Sequence, residues 1–150
     1  MVDFQRSPLA PAQFPLLPTI KGLRIFTTSA NIKNPNREDL LLIELEDGST
    51  VSGVFTQSLT AAAPVIWSKT ITESGHARAL LANSGNANAF TGEKGRLDVE
   101  ACAIAAADLV GCRPTELLIA STGVIGEPLP IERICTALVE MKNQRGVSTW

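Results

Sequence analysis

The run Leu40-Leu41-Leu42-Ile43-Glu44-Leu45-Glu46, followed at once by Asp47-Gly48, constrains this chain more than any other stretch. It starts fully apolar and ends alternating, which is the pattern of a β-strand. Asp-Gly is a strong hairpin signal, because it tolerates the positive φ angles that tight two-residue turns demand. The returning strand is therefore predicted at residues 49–56, with Gly53 inside it as a bulge or a close backbone contact. At least part of the sheet is then antiparallel, which disfavours a simple doubly wound parallel sheet.

Strands and helices alternate along the rest of the chain. Residues 24–28 read as a short strand, and residues 31–39, polar and holding Pro35, as a loop. Val65-Ile66-Trp67 fits either a strand or the start of a helix, since Pro64 is compatible with a first helical turn. Residues 78–82 are a short buried strand that runs into a small polar loop at residues 83–89. Residues 96–110 give the clearest helix. Leu97, Ala101, Ile104, Ala105 and Leu109 recur at three- and four-residue steps, and Gly111 follows as a stop. Leu117-Leu118-Ile119-Ala120 is another buried strand, ending in Ser121-Thr122-Gly123. Pro130 opens a helix to about Lys142, with Ile131, Ile134, Cys135 and Leu138 on one face. The fold class is α/β, a mixed sheet covered by helices. Residues 1–20, with Pro8, Pro11, Pro15 and Pro18, read as a Pro-rich N-terminal arm, and residues 21–150 as one partial domain. Residues 146–150 look like an unfinished end.

Composition narrows the function classes. Hydrophobic residues make up 45% and charged residues 19%, a globular balance. Thirteen basic against fifteen acidic side chains give a net charge of −2, which excludes a strongly basic nucleic-acid binder on bulk electrostatics. No apolar run is long enough for a bilayer, and the N-terminus lacks the apolar stretch of a secretory signal. Cys102, Cys112 and Cys135 are odd in number and widely spaced, so no disulfide framework is expected. They read as small core residues, and with the single His76 they make no zinc set, so no metal or cofactor is expected. A reducing, cytoplasmic setting fits. A Ser-His-Asp triad would need His76, which lies in a Ser-Gly-His turn. The phosphate-binding, dinucleotide-binding and nucleophile-elbow motifs are absent. Thr91-Gly92-Glu93-Lys94-Gly95 looks like a zinc-finger linker without the zinc ligands.

Two segments carry candidate chemistry. In Asn83-Ser84-Gly85-Asn86-Ala87-Asn88-Ala89-Phe90-Thr91-Gly92, amides after a buried strand either meet a ligand or bond to their own backbone as a turn network. Both readings stay open on spacing alone. In Ala120-Ser121-Thr122-Gly123-Val124-Ile125-Gly126-Glu127-Pro128-Leu129-Pro130, a hydroxyl and a glycine amide stand side by side after a strand. Acyl transfer needs donors aimed at the oxygen that turns negative in the tetrahedral intermediate. The Gly123 N–H and the Thr122 O–H suit that task, and a plain glycine turn between strand and helix is the competing reading.

Gly53-Val54-Phe55-Thr56, Ala62-Ala63-Pro64-Val65, the asparagine loop with Thr91-Gly92, and Ser121-Thr122-Gly123-Val124-Ile125-Gly126-Glu127-Pro128-Leu129-Pro130 follow one another in that order. From about Lys21 onward the chain resembles the N-terminal part of the arginine-biosynthesis glutamate N-acetyltransferases, the bifunctional ornithine acetyltransferases. The resemblance implies a four-layer α/β/β/α sandwich with mixed sheets, built from an α and a β chain that arise by self-cleavage. It implies transfer of an acetyl group from N-acetylornithine to glutamate, with acetyl-CoA as a second donor in some members. It implies an oxyanion hole at Thr122 and Gly123. The nucleophile would be the N-terminal threonine of the β chain, a partner within an α/β hetero-oligomer.

The family's Met-Thr-Thr-Asp-Thr, Lys-Gly-Ser-Gly-Met and Ala-Thr-Met segments do not occur in these 150 residues. Thr27, Thr56, Thr70 and Thr91 are internal and have no free amine to act as a base. The expectation is a portion of the α-chain side, inactive and poorly stable by itself. The alternatives are a non-catalytic binding or assembly module, a truncated remnant, or a related self-processing amidase. The asparagine loop speaks for the acetyltransferase over the amidase.

Overall fold

The computed structural model describes residues 8–13, 16–35 and 37–143. The elements are β1 (Leu23–Thr28), β2 (Leu40–Leu45), α1 (Ala63–Thr72), β3 (Ala79–Asn86), α2 (Gly92–Val110), β4 (Leu117–Val124) and α3 (Ile131–Asn143), with a 3-10 turn at Pro114–Glu116. The sheet order is β1-β2-β3-β4. β1 with β2 and β2 with β3 are antiparallel, whereas β3 and β4 are parallel. The sheet is mixed, as the sequence predicts.

The returning strand at residues 49–56 does not form. The Asp47-Gly48 turn does: the Gly48 N–H donates to Asp47 Oδ1 at 3.0 Å and the Ser49 N–H to the Glu46 carbonyl at 3.1 Å. But β1 and β3 already occupy both edges of β2, so the chain leaving the turn has no edge to join. It makes one isolated bridge, Thr50 with His76. Gly53 is exposed on this segment and marks no bulge.

Alternation divides the sheet into two faces. Phe26, Leu40, Leu42, Leu81, Leu117 and Ile119 point one way, into a core closed by α2 and α3. On α2 the predicted apolar stripe holds in part: Leu109 is buried and Ala101 and Ala105 are half-buried, but its other two large residues are not. Leu97 and Ile104 are about half exposed, at 50% and 47%, while Val99, Cys102, Ala103, Ala106 and Leu109 are buried. The buried stripe keeps the helical step but is made mostly of small side chains, which let α2 approach the sheet closely. Seeking large residues at the helical step brings in Leu97 and Ile104, which lie off that face. α3 is as predicted: Ile134 and Leu138 are buried, and Ile131 and Cys135 are half-buried.

Pro64 stands in the first turn of α1, which settles residues 65–67 as helix. This helix covers the outer edge of β4. The Trp67 Nε1–H donates to the Leu117 carbonyl at 2.8 Å. The Ser68 hydroxyl donates to the Ile119 carbonyl at 2.6 Å and accepts from the Ile119 N–H at 2.9 Å. Backbone groups that would otherwise form an open sheet edge are thereby satisfied.

The sheet's other face carries Leu41, Ile43, Leu80 and Leu118, all half-buried. Of the Pro-rich arm, residues 8–13 and 16–20 contain no helix or strand, and Leu9 and Leu16 are exposed. The end at residues 146–150 lies outside the described residues.

Candidate functional site

Two segments read as loops belong to strands. β3 continues through Asn83-Ser84-Gly85-Asn86, and β4 through Ser121-Thr122-Gly123-Val124. They pair in parallel, Asn83 with Ser121, Ser84 with Thr122 and Gly85 with Gly123, before Asn86 meets both Thr122 and Val124 in an irregular register. Ser121-Thr122-Gly123, for which a plain glycine turn is the competing reading, is thus the end of a strand. What allows the continuation is two glycines face to face. Gly123 has φ +135°, and a Cβ on it would fall 2.3 Å from the Gly85 carbonyl carbon and 2.5 Å from the Asn86 nitrogen. No other residue fits there.

Thr122 and Gly123 are exposed at the carboxyl end of β4. The carboxyl ends of parallel strands are where open α/β sheets present groups to ligands. The Ser121 hydroxyl is engaged, donating to Asn83 Oδ1 at 2.6 Å. The Thr122 hydroxyl has no partner among the described residues and is free to donate outward.

The asparagine loop is a buried network. Asn83, Asn86 and Asn88 are 7%, 3% and 0% exposed. Asn83 Nδ2 donates to the Asn86 carbonyl at 2.9 Å. Asn86 Nδ2 reaches the carbonyls of Glu127 and Pro128 at 3.1 and 3.2 Å, and its Oδ1 accepts the Asn88 N–H at 2.7 Å. Asn88 Nδ2 donates to the Gly95 carbonyl at 2.9 Å, and its Oδ1 accepts from the Thr91 hydroxyl at 2.7 Å. These side-chain amides bond inward, so the turn-network reading describes them. Buried amides without partners would be costly, so the network fixes one arrangement of both strand ends.

Asp39 is a supporting residue that the sequence reading missed. It is buried, and its two carboxylate oxygens accept the Ala30 and Ile32 N–H groups at 2.6 Å each. The loop it folds places Ile32 and Lys33 against Gly85. Its only sequence signal is an acid immediately before an apolar run, which is common at loop ends.

Other candidates do not converge on this end of the sheet. His76 is exposed and precedes β3, whereas Thr122 pairs near the last residues of that strand. It is not placed to form a triad there. The described residues include no group of three or more metal-ligating side chains. The cysteines are free, with Cys102 buried and the other two half-buried. Burial, reinforced by nearby Cys135 and Asp98, pushes the Cys102 thiol up to about 12. That disqualifies it as a nucleophile near neutral pH. A cleft of about 400 Å³, between residues 51–55, α1 and the half-buried sheet face, ends at Ala120 and Ser121 beside the Thr-Gly pair. A roomier cleft of about 600 Å³, where Trp67, Ile71, Phe90 and Val99 meet, does not include Thr122 or Gly123.

Fold and site together define an α/β domain whose mixed sheet presents an exposed Thr-Gly pair at the glycine-paired ends of two parallel strands. Residues 24–149 match the ArgJ family, and the chain belongs to it. It is 45% identical over 144 residues to the arginine biosynthesis bifunctional protein ArgJ of Agrobacterium fabrum, covering 96% of this chain and 35% of that protein. It is 51% identical over 123 residues to the ArgJ protein of Bradyrhizobium diazoefficiens, covering 82% and 30%. The chain thus spans about a third of the length of these relatives. The fold matches the crystal structure of ornithine acetyltransferase from Mycobacterium tuberculosis, complexed with ornithine. There the TM-score is 0.79 at 33% identity, covering 83% of this chain and 67% of that one. The Bacillus halodurans ArgJ structure gives a TM-score of 0.73 at 31% identity, covering 79% and 62%. No helix among the described residues is long and apolar enough to cross a membrane.

Proposed function

We propose that this chain supplies the oxyanion hole of an acetyltransferase that moves an acetyl group from N-acetylornithine to glutamate, in the cytoplasm, with acetyl-CoA as a possible second donor. The nucleophile is a threonine on a partner chain. One observation carries the reading: the Thr122 hydroxyl and the Gly123 backbone stand exposed and adjacent on a rigid, glycine-paired strand end. Donors fixed before the reaction cost no reorganisation when the carbonyl oxygen becomes negative. The half-buried apolar sheet face suits a second sheet, as in a four-layer sandwich completed by that partner. Family membership and the match to an ornithine-bound acetyltransferase support the substrate class.

The test is Thr122→Ala in the enzyme assembled from this chain and its partner. Turnover should fall about a hundredfold or more, the usual effect of removing one such donor. KM and assembly should stay as they are. An unchanged kcat would overturn the assignment. Without the partner, the chain should show no ornithine-dependent acetyl transfer.

A further inference from the structure

We propose that Asn86, acting with Asn83, is the positioning residue of the oxyanion donors. The inference rests on the oxyanion-hole reading above and assigns its stability to side chains that never touch substrate. Thr122 and Gly123 are exposed, and a solvent-facing strand end frays unless its flanks are tied. Both flanks are tied here, to the same hub. On the near side the Ser121 hydroxyl donates to Asn83 Oδ1, and Asn83 Nδ2 donates to the Asn86 carbonyl. On the far side Asn86 Nδ2 holds the carbonyls of Glu127 and Pro128. Two backbone bonds run alongside, Ala87 N–H to the Val124 carbonyl and Gly126 N–H to the Ala89 carbonyl, both at 2.9 Å. The segment that carries the donors is thus clamped before by the Asn83 amide and after by the Asn86 amide, and the Asn86 carbonyl links the two.

Asparagine is the residue this task needs. Asn86 uses two N–H donors and one acceptor at once, with the acceptor committed to the Asn88 N–H. An aspartate keeps the shape and the acceptor but turns an oxygen toward two carbonyls. Gly123 has no side chain with which to hold its own position, and Gly85 beneath it has none either. Orientation of the Gly123 N–H therefore depends on these flanking amides. A displacement of about 1 Å at a reacting centre is enough to cost on the order of a hundredfold in rate.

The experiment uses the protein purified with every chain it assembles with, and two readouts. Hydrogen–deuterium exchange is followed across residues 117–128, with α3 as the internal control. Steady-state kinetics separate kcat from KM for N-acetylornithine. In Asn86→Asp, exchange around Thr122 and Gly123 should accelerate while α3 stays protected, and kcat should fall about tenfold or more at unchanged KM. Should that variant fail to fold, Ser121→Ala removes the near tie from a half-buried site, and Ser121→Thr, which keeps the hydroxyl, should restore the wild-type values. Unchanged exchange, or an unchanged kcat in a folded variant, overturns the proposal. If the wild-type assembly transfers no acetyl group, the oxyanion reading is what falls. The exchange data then decide whether Asn86 clamps the strand end.

Discussion

Cys102 shows how burial can couple one residue to the stability of the fold. The thiol lies on α2 in the buried core, and its pKa is pushed up to about 12 by burial first and by Cys135 and Asp98 next. An unfolded cysteine titrates near 9.0. Between these values the unfolded chain has lost the proton and the folded one keeps it. Stability is therefore complete below pH 9 and falls as pH rises toward 12, with a limiting slope of about 1.4 kcal/mol per pH unit. Cys102→Ala should flatten the alkaline limb of a urea-denaturation series, at the expense of a lower stability at neutral pH from the lost packing. An equally steep alkaline limb in the variant would assign the pH dependence elsewhere. The same burial was legible in the sequence only as an apolar neighbourhood. At the site, Thr122 and Gly123 are singled out by the family resemblance, because a hydroxyl beside a glycine amide reads by itself also as a plain glycine turn between strand and helix. The roles of Asn83, Asn86 and Asn88 were not legible, because an amide that binds a ligand and one that binds its own backbone look alike in one dimension.

Among the elements, α1 is the one whose position the sequence could not give. It does not lie flat on the sheet as an amphipathic helix would. It runs beside β4 and substitutes side-chain atoms for a missing strand, with Ser68 both accepting from and donating to Ile119. That arrangement depends on a small hydroxyl at a single buried position, which leaves no periodic trace. Ser68→Ala leaves the Ile119 N–H and carbonyl without their partner on the outer edge. The expected loss is about 1–3 kcal/mol, the penalty for a buried group left unsatisfied. Denaturant midpoints of the two proteins measure it, and a loss below a few tenths would mean that water replaces the hydroxyl. β2 and α3 were legible because their large apolar residues carry the period. α2 is located correctly and Leu109 is on its buried face, but Ala103, Ala106 and Ala107 form much of that face while Leu97 and Ile104 do not. The return strand after Asp47-Gly48 was misread for a different reason. A turn signal is local, whereas edge occupancy is decided by β1 and β3, which lie far along the chain on either side.

For the whole molecule, the decisive feature is that the sheet's two faces are unequal. One is sealed by α2 and α3 over a continuous core. The other carries Leu41, Ile43, Leu80 and Leu118 half-buried, and the cleft over Leu80 and Leu118 is flanked by residues 51–55 and α1. Apolar area left at a sheet face drives association with whatever can cover it. If a partner sheet completes the sandwich, a charge placed on this face should separate folding from assembly. Leu41 is the position to use: it stands between Thr27 on β1 and Ala82 on β3, small neighbours that leave room for a lysine stem to reach water. Leu41→Lys points away from the sealed core, so the helical layer should keep its circular-dichroism signal. Sedimentation velocity of the 150-residue chain should show less self-association than wild type at equal concentration, and co-expression with the partner should yield no complex. Both effects must appear together, because the proposal assigns them to one surface. A variant that still assembles normally would move the partner's contact to another face. The proposed oxyanion donors, Thr122 and Gly123, would then have to meet the proposed nucleophile from a different direction.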